Sequence, residues 1–94
     1  MYIISLTYHA PLDDVETLLE RHVTWLKRGY EQGLFVASGR KNPRTGGVIL
    51  AKSVAREELE AFLEQDPFQA VANYDVIDFQ PSMTAEAFAP LSRI

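Results

Sequence analysis

Residues 34–52, LFVASGRKNPRTGGVILAK, contain two apolar runs separated by a loop of eight residues. Residues 34–39 and 48–52 are rich in residue types that favour strands. The intervening residues 40–47 include a proline and two adjacent glycines, which are typical of a hairpin connection. We therefore predict a β-hairpin near the middle of the chain.

A strand and a helix are predicted on the N-terminal side of this hairpin. Residues 2–8 are rich in β-branched and aromatic residues and predict a first strand. Asp13 and Glu16 have the spacing of a capping box, which predicts a helix that opens near residue 13 and ends at Gly33. The spacing of its apolar face is helical, and the face comprises Val15, Leu18, Leu19, His22, Trp25, Leu26 and Gly29.

A helix and a strand are also predicted on the C-terminal side. The second helix begins at about Ser53 and buries Leu59, Phe62 and Leu63. Because proline suits the first turn of a helix, the Asp-Pro step at residues 66–67 predicts a short helical turn that runs to about residue 73. Residues 74–80 predict a fourth strand.

The predicted order is βαββαβ, which is typical of an α+β, ferredoxin-like domain with a four-stranded antiparallel sheet and both helices on one face. The strands carry apolar residues on both faces: in the first strand, Tyr2, Ile4, Leu6 and Tyr8 alternate with Ile3, Ser5 and Thr7. In a sheet with one solvent-exposed face, apolar and polar residues should alternate more regularly along each strand. We therefore predict a homodimer in which two helix-free faces cover each other.

Composition excludes several classes of protein. The 94 residues contain no cysteine, which excludes disulfides, thiolate metal sites and cysteine nucleophiles. The net charge of −4 argues against a nucleic-acid partner, and no apolar run is long enough for a membrane. There is no metal-binding motif around His9 or His22, the two histidines, so we expect neither a metal nor a cofactor. Without a secretory signal, the expected location is cytoplasmic.

His22 and Asp66 are the candidate catalytic residues. Histidine side chains titrate near neutral pH, so one on the inward stripe of a helix can serve as a general base or acid. A carboxylate can orient such an imidazole and fix its tautomer. Two structural alternatives stay open, because His22 could be a buried histidine bonded to the backbone and Asp66 could be only a helix cap.

A cluster of basic residues lies in and after the predicted hairpin: Arg40, Lys41, Arg44, Lys52 and Arg56. Such a cluster can guide an anionic small molecule, but a solvated hairpin explains it equally simply. Aromatic residues that could form pocket walls, or pack in the core, are Tyr8, Trp25, Phe35 and Phe68.

The chain resembles the YciI-related family from the first strand to about Pro81. The motifs are Arg21-His22-x-x-Trp25-Leu26, Gly33, Ala37-Ser38-Gly39, Thr45-Gly46-Gly47, Asp66-Pro67-Phe68 and Ile77-x-Phe79. The resemblance implies a dimeric α+β barrel and a family domain over residues 1–81. Residues 82–94 form a tail outside this domain, and we expect the tail to contact the partner subunit. The resemblance also implies a pocket with a His22–Asp66 pair, and we expect Arg21, Trp25, Ser38 and Phe68 to bind substrate.

Three functions are compatible with these residues. The first is cofactor-independent acid/base chemistry, an elimination or isomerisation, on a small molecule, as in a lyase or isomerase. The second is a non-catalytic module that binds or senses a small ligand in the same cleft. The third is a cofactor-free monooxygenase, which related barrels support. The sequence does not identify the substrate.

Overall fold

The computed structural model describes residues 1–94 as one antiparallel sheet with two α-helices. The elements are β1 Tyr2–Tyr8, α1 Leu12–Glu31, β2 Phe35–Arg40, β3 Gly46–Ala51, α2 Arg56–Leu63 and β4 Ala72–Asp78. Two 3-10 segments, Pro67–Ala70 and Glu86–Arg93, precede and follow β4. The strands pair in the order β2-β3-β1-β4, which confirms the α+β, ferredoxin-like prediction. None of the helices combines the length and apolar character needed to cross a membrane.

Helix α1 begins without the predicted capping box. Its N-cap is Pro11 and no side chain caps it, so Asp13 lies inside the first turn. A carboxylate there is still favoured by the helix dipole. Glu16 does not fold back on the helix end but pairs with Arg44 of the β2–β3 loop. At the other end, the positive φ of +74° at Gly33 confirms it as the residue that ends the helix.

The core lies between the sheet and the two helices. Trp25 of α1 is 1% exposed, and its indole N–H donates a 3.0 Å hydrogen bond to the carbonyl of Phe62 in α2. Gly29 allows the ring of Phe35 to pack directly on α1, because a Cβ at this glycine would lie 2.2 Å from that ring. The core residues of the sheet are Tyr2, Ile4, Leu6, Phe35, Ile49, Ala51 and Ala72.

A bulge in β2 changes which side chains face the helices. Simple strand alternation would put Phe35 and Ala37 on one face, but the pairing shifts by one residue between them. Phe35 pairs with Ala51 on the helix-covered face, whereas Ala37 pairs with Leu50 on the free face. Beyond the bulge, Ser38 and Arg40 therefore share the face of Phe35.

The helix-free face is apolar at one end and polar at the other. Ile3 of β1 stands opposite Leu50 and Ile77, and Ile77 is 53% exposed. Two positions further along β1, Ser5 stands opposite Val48 and Asp75. The free face thus keeps an apolar row across three strands, half-buried at Ile3 and Leu50 and exposed at Ile77.

The close approach of β3 to β1 gives a direct test of the sheet geometry. A Cβ at Gly46 would lie 1.7 Å from the carbonyl oxygen of Leu6, so Gly46→Ala should destabilise the protein by about 3 kcal/mol or more. Gly39→Ala, in the same hairpin, is the matched control, because a Cβ there meets nothing within 4 Å and should change stability by only about 0.5 kcal/mol. Urea denaturation measures both values, and equal midpoints would contradict this packing.

Candidate active site

A cavity of about 320 Å³ lies between α1 and the β1–β3–β2 side of the sheet. Its apolar wall is formed by side chains of the sheet and of α1, including Leu6, Leu19, Leu26 and Ile49. Tyr8 and Phe68 add aromatic surface, and the polar side chains on the wall are His22, Ser38, Arg40 and Arg44. An apolar cavity with a few convergent polar groups is the usual form of a small-molecule site.

His22 and Asp66 meet beside this cavity. His22 is 8% exposed on the inner face of α1, and Asp66, just before the 3-10 segment Pro67–Ala70, is 2% exposed. The distance from His22 Nδ1 to Asp66 Oδ1 is 2.7 Å. The two side chains are therefore in hydrogen-bond contact, although 44 positions separate them in sequence.

Asp66 accepts two further hydrogen bonds. Its Oδ1 also accepts from the backbone N–H of Phe68 at 3.0 Å, which is the expected capping bond of the 3-10 segment. Its Oδ2 accepts from the hydroxyl of Tyr74 in β4 at 2.5 Å. Asp66 thus acts both as a cap and as the partner of His22, because a carboxylate has several acceptor positions.

Tyr74 is held in its protonated form. Burial raises the pKa of its phenol, and the hydrogen bond to Asp66 raises it further. A phenol that keeps its proton remains a donor to the carboxylate throughout the physiological range of pH.

This arrangement fixes which nitrogen of His22 carries a proton. An ionised carboxylate only accepts hydrogen bonds, so Nδ1 must be the donor toward Asp66. The neutral imidazole then has an unprotonated Nε2, and this nitrogen has no partner within the protein. Nε2 is therefore available to take a proton.

Two aromatic rings hold the imidazole plane. The ring of Phe68 stacks on His22 with a centroid distance of 3.7 Å and an interplanar angle of 3°. Trp25 lies 5.7 Å away at 28°. Tyr8 in turn contacts the ring of Phe68 edge to face. The hydrogen bond to Asp66 and this packing together restrict the orientation of His22.

Of the four residues expected to bind substrate, two lie on the cavity wall and two do not. Ser38 and Phe68 lie on the cavity wall, and Ser38 also shares a 2.7 Å hydrogen bond with the hydroxyl of Tyr30. Trp25 is buried behind His22 and does not reach the wall, and Arg21 is exposed on α1 away from it. We therefore leave Arg21 and Trp25 out of the site that we propose below.

Three site residues were not identified as such from the sequence. The sequence indicates Tyr74 only as part of a strand, whereas the antiparallel pairing with Leu6 places it on the helix-covered face. Arg40 and Arg44 belong to the basic cluster in the sequence, and both lie on the cavity wall. No group of three or more histidine, aspartate or glutamate side chains is arranged to hold a metal ion.

Comparison with known proteins finds a matching family and solved structures of similar fold. The fold is similar to that of 5-chloro-2-hydroxyhydroquinone dehydrochlorinase from Burkholderia phenoliruptrix, solved in complex with 2,5-dihydroxybenzoquinone. The TM-score is 0.68 at 17% sequence identity, over 84% of this chain and 93% of that one. No curated protein matches the sequence. The model of the YCII-related domain matches residues 1–80, so this chain belongs to the YCII-related domain family.

Proposed function

We propose that the protein is a cofactor-independent enzyme that uses His22 as a general base on a small molecule bound in the cavity. The observation that carries this proposal is the 2.7 Å contact between His22 Nδ1 and the buried carboxylate of Asp66, which leaves Nε2 without a protein partner. A base must lie at the wall of a cavity that admits its substrate, and His22 does so.

In the proposed reaction, His22 Nε2 removes a proton from the substrate. In an elimination, the electron pair of the broken bond to hydrogen forms a double bond while a leaving group departs with its own pair. In an isomerisation, the double bond shifts and the imidazolium returns the proton to another atom. Asp66 stays ionised and stabilises the imidazolium, and Tyr74 and the Phe68 N–H keep the carboxylate in place.

The structural neighbour supports elimination within this class. That protein is named a dehydrochlorinase and was solved with a six-membered ring compound. A cavity of about 320 Å³ has the volume expected for a ligand of that size. We therefore propose a small ring compound as substrate of this chain as well.

The activity test compares four versions of the protein on one panel of small cyclic acids, lactones and halogenated phenols. For a substrate turned over by the unmodified chain, His22→Asn should lower kcat by about a hundredfold or more. Asp66→Asn should lower it less, because the amide keeps the shape but loses the charge. Tyr74→Phe removes one donor to Asp66 and should cost roughly tenfold.

All three variants should remain folded, which thermal unfolding checks. Turnover by His22→Asn at the unmodified rate would show that His22 is not the base. Binding of panel members without turnover by any version would instead support the non-catalytic ligand-binding function.

We also propose that the protein is a homodimer formed through the helix-free faces of two sheets. The apolar row of Ile3, Leu50 and Ile77 supports this pairing, since Ile77 is exposed and the other two are half-buried, and such a surface is unfavourable in water. Residues 82–94 follow the family domain and carry Met83 and Phe88, which are 91% and 61% exposed. We propose that this tail contacts the partner subunit.

Light scattering at micromolar concentration should give about twice the chain mass for the unmodified protein. Ile77→Asp places a charge in the middle of the proposed interface and should give the single chain mass. Leu12→Asp is the matched control, because Leu12 is similarly exposed, at 47%, but lies at the start of α1. A dimer in which Ile77→Asp has no effect would place the interface elsewhere.

A further inference from the structure

We propose that the cavity contains a subsite for an anionic oxygen of the ligand, formed by the guanidinium of Arg44 with Arg40 and Ser38 beside it. The ligand class is then a small ring compound that carries a carboxylate or an ionised hydroxyl group. This inference deepens the proposed function and rests on it for the chemistry at His22.

Arg44 has one occupied and one unoccupied hydrogen-bonding edge. Its Nη1 donates to the Glu16 carboxylate of α1. Its Nε and Nη2 are both shielded from solvent and make no hydrogen bond, although the hydroxyl of Tyr8 lies close enough to contribute to the raised pKa of Arg44. Buried N–H groups without an acceptor are rare and costly, so an unpartnered pair on one guanidinium calls for an explanation.

The unoccupied edge has the geometry that suits an oxyanion. Nε and Nη2 present two parallel N–H groups, which match the two oxygens of a carboxylate or neighbouring oxygens on a ring. The side chain of Arg44 is only 24% exposed and lies on the cavity wall. Its bond to Glu16 holds the guanidinium across the gap between the β2–β3 loop and α1.

The charges around the cavity also favour an anion. Glu16 compensates one positive charge, that of Arg44, whereas Arg40 on the same wall has no ion-pair partner. No acidic side chain lines the cavity, and Asp66 lies behind His22 rather than on the wall. The remaining neighbours with polar groups are the hydroxyls of Tyr8 and Ser38. A low-dielectric wall with an excess of positive charge attracts anions.

The rest of the wall indicates what carries the anionic oxygen. Leu6, Leu19, Leu26 and Ile49 are apolar, and Phe68 offers an aromatic ring. These side chains fit a ring but offer no hydrogen bonds to a sugar or a peptide. An anionic group bound by Arg44 would orient such a ring within the cavity that His22 lines.

The test measures the binding of four probes by NMR titration of backbone amides. Benzoate carries a carboxylate and benzamide is its neutral counterpart of similar shape. In the same way, 4-nitrophenolate, above its pKa, carries an ionised hydroxyl and 4-nitroanisole does not. At low salt, the unmodified protein should bind at least one anion about tenfold or more tightly than its neutral counterpart. Which anion is preferred decides between carboxylate and ionised hydroxyl.

Arg44→Gln should abolish this preference, and Arg44→Lys, which keeps the charge without the paired N–H groups, should retain only part of it. Arg56→Gln is the matched control, because Arg56 also pairs with a glutamate, Glu60, but lies on the exposed surface of α2. It should bind the anions as the unmodified protein does. The amide spectrum of each variant reports whether it is folded. If Arg44→Gln does not fold, the result for Arg44→Lys decides the test.

The subsite proposal is overturned if neither anion binds better than its neutral counterpart, or if folded Arg44 variants keep the full preference. His22→Asn separates this proposal from the proposed function, since that variant should keep the anion preference. A preference that depends on Arg44, together with no role of His22 in turnover, would establish the subsite and reject the base.

Discussion

The buried carboxylate of Asp66 is the group on which the site depends. An ionised carboxylate out of water is unfavourable unless donors surround it, and the donors here come from three different elements. His22 belongs to α1, the Phe68 N–H to the 3-10 segment, and Tyr74 to β4. Correct folding of all three is required to satisfy Asp66, and the same bonds set the tautomer of His22. The stability of the fold and the chemistry of the site are therefore coupled through one side chain.

The β2–β3 hairpin brings the polar residues Ser38, Arg40 and Arg44 to the cavity through its backbone geometry. Gly46 lets β3 approach β1 closely, and the bulge before Ala37 turns Ser38 and Arg40 toward the helices. The loop between the strands carries Arg44 to the same wall, where Glu16 of α1 meets it. His22 on one element and cationic groups on another thus face a single apolar cavity.

Much of this arrangement could be predicted from the sequence. Helical spacing placed His22 on the buried stripe of α1, and the Asp-Pro step correctly predicted Asp66 as the cap of a short turn. Their contact was expected from the family resemblance rather than from spacing. Alternation could not predict the β2 bulge, because one extra residue reverses the faces of all that follow. Tyr74 was missed because its role depends on register with β1, which is a long-range property.

The most direct test of this account is the tautomer of His22, read from the ¹⁵N chemical shifts of its ring in a two-bond ¹H–¹⁵N correlation spectrum. A free imidazole side chain in water prefers its proton on Nε2, and His9, which is exposed, provides an internal reference. At a pH where the ring is neutral, His22 should show a protonated Nδ1 and an unprotonated Nε2. A neutral His22 with its proton on Nε2 would mean that Asp66 does not receive it at Nδ1, and would contradict the assignment of Nε2 as the base.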